Sequence, residues 1–136
     1  MGVVSIGVDI PESLRQINDP FSQELIELWD ERHMKGRTFY VENKGYILLQ
    51  DCKKHWTIRG FFVQAEDRGR GLGSNILANV CKFVDSQKQD CFVNITIGAE
   101  NIYIKCGFEI LGPRPDFPDQ LRAIRRYTGH DQQGFS

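Results

Sequence analysis

Apolar positions recur every three to four residues along three segments of the chain, a spacing that predicts amphipathic helices. In the first segment Asp19 is the expected N-cap and Pro20 the first helical residue, and the helix is expected to end near Gly36 after several basic residues. Ahead of it, the first nine residues predict a short strand, and "PESLRQI" predicts one or two helical turns with Asp9 as a cap. The apolar stripe of the first helix consists of Phe21, Leu25, Leu28 and Trp29.

The second and third helical segments lie in the middle of the chain, separated by a strand. The second follows a glycine-rich loop and runs to about Gln87, with an apolar face suited to burial against a sheet. The third, "AENIYIKC" at 99–106, is short and is followed by Gly107, a residue type common just after a helix. The apolar face of the second helix consists of Ile76, Leu77, Val80, Cys81 and Val84.

The rest of the chain has the composition and spacing of strands. "RTFYVE", a turn at 43–45 and "YILLQD" predict a β-hairpin, and "WTIRGFFV" at 56–63 predicts a third strand. "CFVNITI" at 91–97, "FEIL" and "RAIRRYT" predict three more, with a proline-rich loop at 112–120 between the last two. This order predicts an α/β fold with a mixed β-sheet of about six to seven strands flanked by helices. The strand–loop–helix–strand part implies a right-handed crossover between parallel strands.

Length and composition are those of an ordinary globular domain. The 136 residues predict one domain, 1–136, with a flexible tail at 129–136. The formal net charge of −1 gives no sign of a nucleic-acid or anionic-membrane partner. No apolar run approaches the roughly 20 residues that span a bilayer, and the start lacks the features of a secretory signal. We therefore expect a cytoplasmic protein without a membrane partner.

The four cysteines form no metal-binding pattern. No two of them have CxxC spacing, and the three histidines are scattered, so we expect no metal site. Cys81 and Cys91 lie in apolar segments and are predicted to be small core residues.

The segment "DRGRGLGSNIL" at 67–77 places three glycines directly before a predicted helix. Glycine lets the backbone approach a ligand closely, and the first N–H groups of a helix attract anions, so the segment predicts a phosphate site. A Walker loop is excluded, because no Gly-Lys-Ser/Thr sequence occurs in the chain. The dinucleotide-binding pattern GxGxxG is not met either, since Ser74 stands at the third glycine and antiparallel strands precede the loop.

The loop resembles instead the acyl-CoA loop of the GCN5-related N-acetyltransferases, the GNAT family. The family pattern Gln/Arg-x-x-Gly-x-Gly/Ala is matched by Arg68, Gly71 and Gly73. Later in the chain, "AENIYIKCGFEI" resembles the family segment Ala-x-x-x-Tyr-x-Lys-x-Gly-Phe. The resemblance covers residues 37 to 127 well and the first 36 only by helix order. It implies the acyl-CoA N-acyltransferase fold and an acetyl-CoA-dependent N-acetyltransferase. The residues that match the second segment are Ala99, Tyr103, Lys105, Gly107 and Phe108.

The resemblance also implies where acetyl-CoA, the acyl donor, would bind. Its pyrophosphate would lie on the backbone amides from Gly69 to Ser74, and its pantetheine arm between the strands at 56–63 and 91–97. One N–H of the first strand would polarise the thioester carbonyl as an oxyanion donor. The residues expected at the coenzyme are Phe61, Phe62, Val63, Arg68, Gly69, Arg70, Gly71, Leu72, Gly73, Ser74 and Asn101.

In this family an acceptor amine attacks the thioester directly, and a tyrosine often protonates the departing thiolate. Tyr103 matches that tyrosine and is the expected general acid. The general base is not defined, because the strand at 56–63 carries Arg59 and no carboxylate where many members have a glutamate. The candidate bases elsewhere are Glu42, Asp51, His55 and Glu66.

Two positions depart from the family pattern. Arg59 is expected to pair with a nearby carboxylate, the alternative being contact with an acidic acceptor. Thr96 stands where many members have an asparagine that contacts the coenzyme. Asn101 is favoured over Asn94 as its replacement, and the hydroxyl of Thr96 itself is a further alternative.

The acceptor itself is left open: a small-molecule amine, a protein amine or a nucleobase. The alternatives to an acetyl-CoA-dependent enzyme are a non-catalytic acyl-CoA-binding module on the same fold and a transferase that uses another acyl-CoA. A homodimer is also left open. Arginines at 114, 122, 125 and 126 give the C-terminal part a mild positive bias, which is expected to be solvated surface. The early helices and the last hairpin, which bind the acceptor in the family, offer Trp29, His33, Phe39, Tyr40 and the loop at 113–122.

Overall fold

The computed structural model describes residues 3–128, so the tail predicted at 129–136 lies outside the described residues. This part of the chain contains seven strands and four α-helices. In chain order they are β1 (Ser5–Gly7), α1 (Glu12–Arg15), α2 (Pro20–Glu31), β2 (Gly36–Val41), β3 (Gly45–Asp51), β4 (His55–Val63), α3 (Leu72–Ser86), β5 (Asp90–Thr96), α4 (Glu100–Lys105), β6 (Glu109–Arg114) and β7 (Phe117–Arg125).

All seven strands form one mixed sheet in the order β1-β2-β3-β4-β5-β7-β6. Every neighbouring pair is antiparallel except β4 and β5, which are parallel and are joined through α3. The parallel pairing is short: it begins at His55 opposite Asp90 and ends at Ile58 opposite Val93. The predicted mixed sheet flanked by helices is therefore confirmed.

The sheet separates two apolar cores. Alternate residues of a strand point to opposite faces, and in β3 this sends Ile47 and Leu49 into one core and Tyr46 and Leu48 into the other. The larger core is formed with the buried face of α3, as predicted from its apolar spacing. The smaller core is formed with α1 and α2.

A β-bulge at Arg59 interrupts β4 in the middle of the sheet. Leu49 lies opposite Ile58 and Leu48 lies opposite Gly60, so Arg59 has no partner residue on β3. A bulge of this kind bends its strand and increases the local twist. In β4 it falls directly after the last residue that pairs with β5.

Helix α2 begins as predicted but ends earlier. The Asp19 carboxylate accepts hydrogen bonds from the Ser22 N–H at 3.0 Å and the Ser22 hydroxyl at 2.7 Å, which confirms the N-cap. The helix stops at Glu31 and not near Gly36, because His33 adopts a left-handed conformation with φ 49°. The N–H groups of His33 and Met34 then donate to the carbonyls of Asp30 and Trp29, a Schellman motif that needs no glycine here.

The apolar stripe predicted for α2 was partly wrong. Trp29 is buried, but Phe21 is 64% exposed and lines a cleft described below. Ser22 and Ile26 are buried in its place, since the Asp19 cap turns the Ser22 side of the first turn toward the core. The Asp9 cap predicted for α1 was also wrong: the N-cap is Pro11, which has no side-chain capping bond.

The proline-rich loop predicted at 112–120 is instead most of a hairpin. β6 extends to Arg114 and β7 starts at Phe117, so only two residues connect them. Pro113 is tolerated because β6 is the edge strand of the sheet, where a missing N–H leaves no neighbour unpaired. Pro118 lies beyond the end of the β5–β7 pairing, which stops at Thr96 opposite Gln120.

Gly36 is the position where the sheet tolerates a side chain least. A Cβ at this buried residue would overlap the backbone carbonyl of Leu49 on β3. We expect Gly36→Ala to lower stability by about 1–3 kcal/mol and the melting temperature by about 5–10 °C. The matched control is Gly7→Ala in β1, whose Cβ would meet no atom closer than 3.6 Å and should leave the melting temperature nearly unchanged. Equal melting temperatures for the two variants would contradict the predicted overlap.

Candidate active site

A cleft of about 570 Å³ opens where β4 and β5 diverge. Beyond Ile58 and Val93 the two strands no longer pair with each other, although β4 stays paired with β3 to Val63 and β5 with β7 to Thr96. The facing edges of both strands therefore carry main-chain groups without a partner strand. Such an edge can bind an extended ligand through main-chain hydrogen bonds.

The glycine loop closes one end of this cleft. Gly69 and Gly71 have φ values of 76° and 80°, a left-handed conformation that strongly favours glycine. Gly71 is the N-cap of α3 and provides no side-chain cap, so the first N–H groups of the helix have no acceptor among the described residues. Three main-chain donors, those of Leu72, Gly73 and Ser74, are thus available at the positive end of a 15-residue helix.

The third glycine of the loop has a packing role. A Cβ at Gly73 would lie 3.1 Å from the ring of Phe61 and 3.5 Å from the side chain of Ile102. Gly73 therefore lets the first turn of α3 pack closely against β4 and α4. Leu72 points the other way, into the larger core, so only its backbone can serve the cleft.

The arginines of the loop differ in placement. Arg68 lines the cleft, and its Nε donates to the Val63 carbonyl at 2.9 Å, which ties the loop to the end of β4. Its two terminal nitrogens form no hydrogen bond with a described residue and can bind an anion. Arg70 is exposed and lies outside the cleft lining.

Tyr103 lines the cleft at its α4 side and is held by the end of that helix. Gly107, with φ 89°, follows the helix as predicted. The N–H groups of Gly107 and Phe108 donate to the carbonyls of Ile104 and Tyr103, a Schellman motif. The Phe108 ring contacts Tyr103 edge-on with centroids 5.5 Å apart, and the Phe61 ring does so at 6.1 Å.

The Tyr103 phenol is free to act on a ligand. The residue is 7% exposed, and no described residue forms a hydrogen bond with its hydroxyl. Burial of the side chain raises the pKa of the phenol well above its usual value near 10. The hydroxyl is therefore protonated throughout the neutral and mildly alkaline range.

The four candidate bases do not line this cleft. Glu42 is exposed in a turn and Glu66 in a 3-10 helix at Ala65–Asp67. Asp51 lines a separate cavity, and the His55 ring packs against Phe92 with centroids 4.9 Å apart. Asp67 is the one carboxylate among the described lining residues, and it lies at the glycine loop.

Of the other residues expected to contact the coenzyme or the acceptor, some line the cleft and some do not. Asn94 and Thr96 on β5 line the cleft, whereas Asn101 is exposed in α4 and does not. The Phe62 side chain packs against the smaller core, so only its backbone can reach the cleft. Trp29 and Phe39, offered as acceptor contacts, are buried core residues.

The arginines of the last hairpin are mostly engaged within the protein. Arg125 forms a salt bridge with Asp85 on α3 and donates to the Cys106 carbonyl at 2.8 Å. Arg126 pairs with Glu109, and Arg114 lies over the Phe117 ring at 4.2 Å. The expected solvated surface is thus in part a set of structural contacts.

Arg59 does not pair with a carboxylate, contrary to expectation. Its Nε donates to the Gln50 side chain at 2.6 Å, and no described residue forms a salt bridge with it. Within residues 3–128 no group of three or more His, Cys, Asp or Glu side chains is placed to hold a metal ion. No helix in that range is long and apolar enough to cross a membrane.

Comparison with solved structures shows the same fold in several acetyltransferases. An acetyltransferase from Bacillus subtilis in complex with CoA is 15% identical, with a TM-score of 0.68 over 90% of this chain and 97% of that one. An IAA acetyltransferase from Bacillus cereus is 20% identical, with a TM-score of 0.67 over 90% and 99%. Spermidine N-acetyltransferase from Vibrio cholerae in complex with CoA and spermine is 13% identical, with a TM-score of 0.67 over 92% and 96%. No curated protein matches the sequence at a significant level.

The sequence of the chain also matches a family directly. The model of the acetyltransferase (GNAT) domain matches residues 14–117, which is most of the chain and contains both the glycine loop and Tyr103. The predicted family, fold and enzyme class are therefore confirmed. This chain belongs to the GNAT acetyltransferase family, whose members transfer an acetyl group from acetyl-CoA to an acceptor.

Proposed function

We propose that this chain transfers the acetyl group of acetyl-CoA to an amine by direct attack, with the donor bound in the cleft between β4 and β5. The observation that carries the proposal is that two sets of main-chain groups without hydrogen-bond partners lie in the same cleft. The edges of β4 and β5 are open toward each other, and the uncapped N-terminus of α3 lies at the end of the same opening.

The donor's two ends suit these two features. The amides of Leu72, Gly73 and Ser74, with the free nitrogens of Arg68, bind the pyrophosphate, since backbone donors at a helix N-terminus favour anions. The main chain of Phe61, Phe62 and Val63 binds the pantetheine arm as an added strand would. This leaves the thioester near Phe61 and Tyr103, whose rings are in edge-on contact.

The chemical step needs few side chains. The amine nitrogen attacks the thioester carbonyl carbon, a β4 N–H stabilises the charge on the carbonyl oxygen, and the carbon–sulfur bond breaks. The Tyr103 hydroxyl donates to the departing sulfur, while the nitrogen loses a proton to water. No described carboxylate or imidazole lies at this end of the cleft, so the amine must arrive unprotonated or lose its proton to solvent.

A non-catalytic acyl-CoA-binding module is the second candidate, because of that missing base. The two are separated by incubating the protein with acetyl-CoA and a panel of amines and measuring free thiol. Stabilisation by CoA without thiol release would favour the binding module, and absence of any stabilisation by CoA or acetyl-CoA would contradict both.

We further propose a cytoplasmic location for this activity. The four cysteines, Cys52, Cys81, Cys91 and Cys106, are all free thiols, which suits a reducing compartment. Localisation of the tagged protein in its own cells is the direct test.

Ser74→Glu tests the pyrophosphate site. The new carboxylate lies in the first turn of α3, where it favours the helix by about 0.3–1 kcal/mol but repels a bound phosphate. We expect an unchanged or higher melting temperature without ligand and at least a roughly tenfold higher Kd for CoA. Lys82→Gln, exposed on the same helix and away from the cleft, makes an equal change in net charge and serves as the control. Equal CoA affinity in both variants would place the pyrophosphate elsewhere.

Tyr103→Phe tests the general acid. The ring contacts with Phe61 and Phe108 are kept and only the hydroxyl is lost. We expect kcat to fall by about one to three orders of magnitude, with little change in the Kd for CoA. Steady-state kinetics together with calorimetric titration of CoA measures both, and an unchanged kcat would remove Tyr103 from the mechanism.

The pH profile tests the absence of a protein base. Without a protein base only the unprotonated amine can attack, so log(kcat/KM) should rise with unit slope up to the pKa of the acceptor amine. Tyr103 acts in its protonated form, and burial raises the pKa of its phenol. Deprotonation of Tyr103 should therefore not lower the rate between pH 7 and about 10. Initial rates from pH 6 to 10 decide this. A plateau that begins near pH 7 with an acceptor of higher pKa would indicate a protein base.

A further inference from the structure

A second cavity, of about 410 Å³, lies next to the cleft and shares Arg59 with it. It is formed by the turn after α2, the end of β3 and the turn that follows β3. We call it the basic cavity. Its lining residues are Arg32, His33, Met34, Lys35, Gln50, Asp51, Lys53 and Arg59.

The charge of the basic cavity is strongly one-sided. Four of its lining residues are arginine or lysine and one, Asp51, is a carboxylate. One oxygen of the Asp51 carboxylate is already hydrogen-bonded, because Oδ1 accepts the backbone N–H of Lys53 at 2.8 Å. Within residues 3–128 none of the four cations forms a salt bridge. Cations gathered in one concavity without counter-charges raise the local potential and favour a bound anion.

Three backbone features of the fold bring these cations together. The Schellman motif at His33 ends α2 and places Arg32 and Lys35 in the turn before β2. A left-handed conformation at Lys53, with φ 72°, closes the turn between β3 and β4. The bulge in β4 leaves Arg59 without a cross-strand partner.

Arg59 is oriented to bind a ligand group. Its Nε donates to Gln50 at 2.6 Å, which fixes the guanidinium, while its two terminal nitrogens have no acceptor among the described residues. A planar guanidinium held in this way suits the two oxygens of a carboxylate or phosphate. Arg59 precedes Phe61 by two strand positions, about 7 Å along the backbone. Arg59 also lines the cleft together with Phe61, so an anion on Arg59 lies in the cavity system that holds the thioester end of the donor.

We propose that the acceptor is a small amine that carries a carboxylate or phosphate group, and that Arg59 and the basic cavity bind this group. Arg59 is then a specificity-determining residue, and Lys35 and Lys53, which also line the basic cavity, strengthen the field. This inference rests on the proposed acetyl transfer, since it assigns the acceptor side of the same site. A polycationic amine is disfavoured by the same charges.

The first experiment compares acceptors in matched pairs with acetyl-CoA, following thiol release. One pair is O-phosphoethanolamine and ethanolamine, and the other is γ-aminobutyrate and n-butylamine, with spermidine as the polycation. We expect kcat/KM to be at least about tenfold higher for the anionic member of one pair, mainly through KM, and lowest for spermidine. The pair that discriminates identifies phosphate or carboxylate as the preferred group. The advantage should shrink as NaCl is raised from about 50 to 500 mM.

Variants locate the effect. Arg59→Gln should reduce the ratio of kcat/KM between the anionic and neutral members to below about threefold. Lys35→Gln should reduce it partially, and Lys82→Gln on α3, outside both cavities, should leave it unchanged. This ratio cancels any general loss of active protein, so a merely structural effect of Arg59→Gln would not move it.

A binding measurement separates this inference from the proposed function. The protein saturated with CoA is titrated with O-phosphoethanolamine, ethanolamine, γ-aminobutyrate and n-butylamine, and its melting temperature is measured. Stabilisation by an anionic amine that is lost in Arg59→Gln supports the anion site even if no amine is acetylated, in which case acetyl transfer is the part that fails. Acetylation of neutral and anionic amines with equal kcat/KM overturns the anion site and leaves acetyl transfer intact. Absence of stabilisation by either anionic amine, together with no turnover preference, also overturns it.

Discussion

The site depends on the shortness of the parallel pairing between β4 and β5. Each strand could in principle continue the ladder, yet it stops at Ile58 and Val93, directly before the bulge at Arg59. Loss of a ladder leaves main-chain donors and acceptors without partners, which a stable interior does not tolerate. The gap is stable because it is open to solvent and because each strand keeps its other neighbour, β3 or β7. A ligand that supplies the missing hydrogen bonds is favoured by the same unsatisfied groups.

The two cores keep this gap from closing. The core under α3 contains residues of both β4 and β5, whereas α1 and α2 pack on the other face against β3 and β4, so each strand is held by contacts other than the β4–β5 ladder. Gly73 and Gly60 set how closely the helices approach: a Cβ at Gly73 would contact Phe61, and one at Gly60 would collide with Leu25 of α2. Core packing thus fixes β4 from both faces of the sheet and β5 from the α3 face.

Local patterns in the sequence predicted the features that depend on local chemistry. The N-cap at Asp19, the glycine loop with its left-handed Gly69 and Gly71, and the Schellman glycine at Gly107 follow from residue types at fixed spacings. The end of α2 could not be predicted in this way, because His33 takes a conformation that residue type alone disfavours. The hairpin at 112–120 depends on which strand lies at the edge of the sheet, and the bulge depends on the register between β3 and β4. The basic cavity combines the end of α2, the left-handed turn at Lys53 and the bulge, none of which residue type predicts, so composition gave no sign of it.

The net charge of −1 hides how unevenly the charges are used. Arg15, Arg125 and Arg126 each form a salt bridge with an aspartate or glutamate, and Arg125 joins β7 to α3 in this way. Arg59 and Arg68 instead have polar partners that fix the guanidinium without neutralising it. Because these partners carry no negative charge, the positive charge of both arginines stays uncompensated at the cleft, with one arginine near each end. Among these five arginines, the three with an acidic partner hold the fold together, and the two with a neutral partner line the cleft.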